Sequence, residues 1–263
     1  MTDFVSLPQK IGGAIDRALC ETFEKREREI PAGRYVSLCF DDFPKTAATV
    51  AAPMVEELGW RATYYVAGGF LGTTRPQYGT MFDDQDLHRL HQNGHDFGCH
   101  TFDHIDCRTA TSEEIEEQCK RNLEFLARRG ITDVKSFAFP FGAANLTSKR
   151  ILSNSEFALR GVKTGLNRGR ADLDMLRACG LQDNKGGTQK ALKEIETLKN
   201  SDGWLILFTH DVQDKPSPWG VTPEDYRELL AAIDASGAEV ITVGDMVTRM
   251  QPYASQADLS IAS

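Results

Sequence analysis

The chain has 263 residues, 41% of them hydrophobic, enough for one large α/β domain with a substantial core. Its 38 acidic against 30 basic side chains leave a formal charge of −8, which argues against nucleic acid or an anionic membrane as partner. No apolar run approaches the roughly 20 residues of a membrane span, and Met1-Thr2-Asp3-Phe4 lacks the basic start and apolar core of an export signal, so the expected setting is cytoplasmic.

From Pro8 to Ile30 the pattern is helical, with Ile11, Ile15, Leu19 and Phe23 recurring every four residues. The alternating charges of Glu24-Lys25-Arg26-Glu27-Arg28-Glu29 read as the solvated face of the same helix. Residues 1–32 are therefore expected to form an N-terminal helical extension. From Gly33 strands alternate with helices. Strands are predicted over Tyr35–Phe40, Ala62–Ala67, His95–Cys99, Val134–Phe139, Phe157–Val162, Leu176–Leu181, Trp204–Phe208 and Glu239–Thr242. Helices are predicted over Ala47–Leu58, Asp84–Asn93, Ile115–Leu126, Thr147–Leu152, Thr188–Leu198, Pro223–Ser236 and Val243–Met250. Thr111-Ser112-Glu113-Glu114 is a capping box ahead of the third of these, and Gly94 closes the second. Gly68–Gln77 reads as loop. Strands alternating with helices predict an α/β fold, a distorted (β/α) barrel of seven or eight mostly parallel strands over residues 33–250. The small polar tail, 251–263, is expected to be poorly ordered.

Two stretches organise the chemistry. Val36-Ser37-Leu38-Cys39-Phe40 is a buried strand that ends in two adjacent carboxylates, Asp41 and Asp42. His100-Thr101-Phe102-Asp103-His104 places two imidazoles four residues apart, a spacing that on a helical turn turns both rings to one ion. Two histidines and one of the carboxylates make a three-ligand metal site with an open position, the catalytic rather than the structural pattern. His210 and Pro140 also fall at strand C-termini, the face on which barrels carry their chemistry. The six cysteines form no CxxC pair and read as reduced thiols. Cys39 and Cys99, beside site residues, read as small buried hydrophobes. His88 and His91 read as solvated helix residues, and His95 as a hydrogen-bonding residue at a strand start.

Cys39-Phe40-Asp41-Asp42, His100 to His104, Phe139-Pro140-Phe141-Gly142 and Leu205-Ile206-Leu207-Phe208-Thr209-His210 resemble, in order and spacing, the motifs of the polysaccharide deacetylases, carbohydrate esterase family 4 or NodB homology domain. The resemblance spans roughly residues 33–250. It implies that Asp42, His100 and His104 hold a divalent metal, most usually zinc, that Asp41 is the general base and that His210 is the general acid. One departure stands out. Where the family often has an arginine tethering the catalytic aspartate, this chain has Ala138, and Arg177 is the expected replacement. Asp174 or Asp172 is expected to orient His210, and Asp103 one of the ligands.

The chemistry implied is hydrolysis of an N-acetyl amide on a sugar. Backbone N–H groups of the Pro140-Phe141-Gly142 turn would help hold the oxyanion. Phe141, Trp204 and Trp219 would offer faces to a sugar ring. Two further readings remain: hydrolysis of a non-sugar amide such as a cyclic imide or ureide, and a sugar-binding barrel that has lost catalysis, for which Ala138 speaks.

Overall fold

The computed structural model describes residues 7–23, 25–155, 157–182 and 186–252. The tail beyond Pro252 lies outside them. Eight strands build the main sheet: β1 Arg34–Asp41, β2 Thr63–Val66, β3 Asp96–Cys99, β4 Ser136–Ala138, β5 Ala158–Arg160, β6 Cys179–Gly180, β7 Gly203–Thr209 and β8 Glu239–Val240. Seven run in the order β6-β7-β1-β2-β3-β4-β5, every neighbouring pair parallel. β7 pairs along β1 from Arg34 to Phe40. Two further strands also pair with β1, β8 at Tyr35–Val36 and β2 at Cys39–Asp41. The expected distorted barrel is what forms. A parallel bridge from Arg160 to Leu176 links β5 to the segment that leads into β6.

The sheet is buried on both faces, as parallel sheets are. Along β1, Val36, Leu38 and Phe40 join the core beneath the helices, whereas Tyr35 and Cys39 join the barrel interior with Tyr65, Ala138, Ala158, Ile206 and Phe208. The period of two carries Asp41 onto the interior series. The same alternation on β5 gives the interior Ala158 and Arg160 and turns Leu159 outward.

The helices are α1 Leu7–Thr22, α2 Ala52–Glu56, α3 Asp84–Gln92, α4 Ser112–Ala127, α5 Leu146–Ser153, α6 Gly187–Lys199, α7 Pro223–Ser236 and α8 Val243–Arg249. A π-helical turn over Ala47–Ala51 leads into α2, whose first turn contains Pro53. The Thr111–Glu114 capping box opens α4 as the sequence indicates.

The N-terminal segment departs from expectation. α1 ends at Thr22, and Glu27–Glu29, read as a helix face, is a short strand instead. It pairs antiparallel with Arg170–Asp172 and with Gln251–Pro252. The cause is a buried cation, Lys149 of α5. Its Nζ donates to the carbonyls of Cys20 (2.6 Å) and Phe23 (2.9 Å) and meets Asp172 at 3.1 Å. That ammonium satisfies carbonyls at the end of α1, so the helix stops there. A second small element, the hairpin Thr74–Arg75 with Gly79–Thr80, stands where the sequence suggests plain loop.

Candidate active site

The site gathers at the C-terminal ends of β1, β3, β4 and β7, around a cavity of about 710 Å³. Asp41 is the last residue of β1, and the chain then turns through two left-handed residues, Asp42 (φ 60°) and Phe43 (φ 63°). That sharp exit separates the neighbouring carboxylates. Asp41 keeps the interior direction of the strand, and Asp42 swings toward the end of β3.

His100 and His104 meet Asp42 there, but not from a helix. Residues 100–104 form an irregular loop, bent by left-handed backbone at Thr101 (φ 58°) and His104 (φ 55°). The loop does by curvature what the helical reading assigned to the i, i+4 spacing. His104 Nε2 lies 2.9 Å and His100 Nε2 3.3 Å from Asp42 Oδ1, and one ligand atom from each residue falls within 4.8 Å of the others. Oδ1 is buried and makes no hydrogen bond. His100 Nδ1 lies 2.8 Å from the Ala138 carbonyl, which can only accept. Nδ1 therefore carries the proton and Nε2 presents its lone pair, the tautomer a metal needs. Burial alone would raise the Asp42 carboxyl, but the imidazoles of His104 and His100 outweigh it and hold it well below the usual carboxylate range. Burial lowers His104 against the opposing pull of Asp42, whereas at His100 the nearby Asp42 and Asp41 carboxylates outweigh burial and raise it. Two imidazole nitrogens and one carboxylate oxygen suit zinc or a similar divalent ion.

Asp41 is gripped by Arg160, with Nη2 to Oδ2 at 2.6 Å. The guanidinium is fully buried, lies over the rings of Phe208 and Tyr65, and donates through Nη1 to the Gly161 carbonyl. This overturns the expectation for Arg177, whose guanidinium reaches only the Thr164 carbonyl at 3.5 Å. The reason is register. Ala138 on β4 and Arg160 on β5 are paired residues. Ala138 is small and faces the interior, so the space is open to an arginine reaching over from the next strand. One sequence signal pointed there: an arginine closing an otherwise apolar strand, Ala158-Leu159-Arg160, must have a partner if it is buried.

Asp174 is likewise elsewhere, paired with Arg26 at 3.0 Å. Asp172 serves Lys149 and the Arg26 backbone. His210 has no carboxylate partner among the described residues, and its Nδ1 is buried without a hydrogen bond. Aromatic rings hold it instead. Tyr78, from the hairpin, stacks on it at 5.6 Å and 16°, and Trp219 lies at 6.3 Å. Tyr78 escaped the sequence reading because its stretch looked like loop. Asp211, next to His210, shapes the Trp219 loop by accepting from Ser217 N (2.8 Å), Ser217 Oγ (2.5 Å) and Gln213 Nε2 (2.8 Å).

Phe141 is 70% exposed, has φ 59°, and its ring lies 4.4 Å from that of His104. Trp219 is 37% exposed on the far side. Trp204 is not a sugar face: it is fully buried and donates to Ser37 Oγ at 2.9 Å. In the turn, Pro140 has no N–H and Gly142 N donates to the Phe139 carbonyl, which leaves the Phe141 amide as the candidate oxyanion donor. Asp103 lines the cavity but is taken by Arg121 at 2.9 Å and Gln118 at 2.8 Å. All six cysteines are buried and free, and burial pushes the Cys39 thiol far up, which leaves it inert.

A family model described as polysaccharide deacetylase matches residues 28–159, half of the chain. No curated protein matches the chain in sequence. Solved structures share its fold. A chitin deacetylase from Colletotrichum lindemuthianum is 17% identical, covering 87% of this chain and 96% of its own, with a TM-score of 0.57. A family 4 acetyl xylan esterase from Clostridium thermocellum, in complex with a cobalt ion, is 19% identical over 82% of this chain and 91% of its own, TM-score 0.58. A CE4 family pseudoenzyme from Bacillus anthracis is 14% identical over 84% and 67%, TM-score 0.60.

Proposed function

The chain belongs to the polysaccharide deacetylase family, and from that premise we propose that it is a metal-dependent hydrolase removing N-acetyl groups from an N-acetylated sugar or oligosaccharide. The observation that carries the reading is the convergence of Asp42, His100 and His104 on one point beside a buried Asp41. A divalent ion held by those three would supply Lewis acidity toward the amide carbonyl and a more acidic water.

The chain's own groups supply the rest. Arg160 occupies Oδ2 of Asp41, and Oδ1, which makes no hydrogen bond, is left to accept a proton from water. Arg160 also fixes the carboxylate's plane, which an amine on a flexible stem would do less well. His210, packed in a ring cluster with Tyr78 and Trp219, donates a proton to the departing amine. The Phe141 N–H faces the developing oxyanion. Phe141, beside His104, and Trp219, beside His210, offer apolar faces for the sugar ring in the same cavity. Ala138 had spoken for a barrel without catalysis, and that weight falls away once Arg160 supplies the guanidinium.

Zinc and cobalt titration of the chelator-treated protein, followed by acetate release from N-acetylglucosamine oligomers, tests the reading. Wild type is expected to bind one ion and release acetate, and His104→Ala to lose both. Failure of the wild-type protein to bind either metal would sink the mechanism.

A further inference from the structure

Arg75 stands outside every role given above. It belongs to the hairpin and pairs with Gly79 across it. Half-buried, it lines the same cavity as Asp42, His104 and His210. Its guanidinium carbon sits 3.7 Å from the centre of the Phe70 ring, and that ring lies 5.5 Å from His104. The position is therefore fixed from below by stacking and from the side by the hairpin, whose Tyr78 packs on His210.

What Arg75 lacks, among the described residues, is an anionic partner. Its Nε is buried without a hydrogen bond. Arg26, Arg89, Arg129 and Arg249 each meet a carboxylate, and Arg34, Arg61 and Arg177 donate to backbone carbonyls. No carboxylate meets Arg75 among the described residues. The acids on the cavity wall are otherwise engaged: Asp41 by Arg160, Asp42 by the two imidazoles, Asp103 by Arg121. Lys190 adds a second cation to the same lining. A half-desolvated guanidinium gains most from an anion, and the planar fork fits a carboxylate or phosphate through two bonds. Stacking on Phe70 removes most of the ordering cost beforehand.

We propose that the cavity takes an N-acylated sugar bearing a carboxylate or a phosphate, and that Arg75 receives that anion while the amide lies at the Asp42-His100-His104 group. The proposal rests on the deacetylase reading but can fail apart from it. Calorimetric titration of the zinc-treated protein with glucosamine, glucosamine 6-phosphate and muramic acid measures binding without turnover. The neutral sugar is the reference, and the two acids separate phosphate from carboxylate. At least one acid is expected to bind about tenfold or more tighter than glucosamine, with Arg75→Gln erasing the difference and Arg75→Lys restoring part of it. The corresponding N-acetyl sugars should show the same order in kcat/KM. Equal binding of all three sugars by wild type overturns the proposal, and so does an acid preference that survives Arg75→Gln. An acid preference without acetate release from any sugar would keep the anion site and remove the deacetylase reading.

Discussion

The pair Asp41–Arg160 concentrates the energetics and the chemistry of the site in two side chains. Both are buried, so removing either strands the other. Arg160→Met should cost about 3–5 kcal/mol of stability, because it leaves a buried carboxylate uncompensated, and acetate release should vanish with it. Urea unfolding and a turnover assay read the two losses. Asp41→Asn is milder on the fold and should retain the metal while losing about a hundredfold or more in kcat, as loss of a general base does. Register adds a sharper expectation: Ala138→Arg combined with Arg160→Ala should recover part of the activity, since the two positions face each other across β4 and β5. The proposed ligands, base and acid were singled out in the sequence at or just beyond strand ends, and three of them, Asp42, His100 and His104, do come together. The guanidinium was not, because residues 138 and 160 become neighbours only through strand pairing, which linear spacing does not display. The i, i+4 histidines were legible as a pair, whereas the left-handed turns that bring them together leave no pattern in hydrophobicity.

Helices and long strands announced themselves through periodicity and caps, and the structure keeps most of their bounds within a few residues. Elements held by a few specific contacts did not. The strand Glu27–Glu29 carries only charged residues and is shaped by its two partners, and the hairpin around Arg75 to Gly79 has neither alternation nor an Asn-Gly turn. α1 is docked in large part by Lys149, whose ammonium serves two carbonyls and Asp172. Lys149→Met should therefore loosen α1 ahead of the barrel. Limited proteolysis should cut near residue 23 sooner than in wild type, with a stability loss of about 1–3 kcal/mol for each orphaned acceptor that water does not reach. Cleavage at an unchanged rate would show that α1 is held by other contacts.

One buried titratable group far from the site couples the fold to pH. His95 accepts from Ala62 N through Nδ1 at 3.0 Å and turns Nε2 to Glu56 at 3.0 Å. Burial, opposed by Glu56, holds its pKa below the ordinary imidazole value. The unfolded chain then takes the proton first. The contribution is full above the unfolded value of about 6.5 and is lost as pH falls through the lower folded one. The melting temperature should drop between about pH 7.5 and about pH 5.5, and His95→Gln should flatten that slope whatever it does to the absolute value. An identical slope in the variant would assign the drop to other groups.

The five non-glycine residues with left-handed backbone among those described are Asp42, Phe43, Thr101, His104 and Phe141; three line the site cavity and the other two are the chain neighbours of Asp42 and His100. Such torsions cost of order 1 kcal/mol apiece in bulky residues, so the molecule would be hardier without them. Robustness and turnover thus pull in opposite directions at the same few positions. A lineage freed from the need to turn substrate over should drift first to glycine or asparagine at the exposed Phe141, and laboratory selection for heat resistance alone should retrace that drift, whereas Phe43, buried against Tyr64 and Phe82, should stay. The torsion angles of the rim would then serve as a fossil record, separating working descendants of this barrel from retired ones.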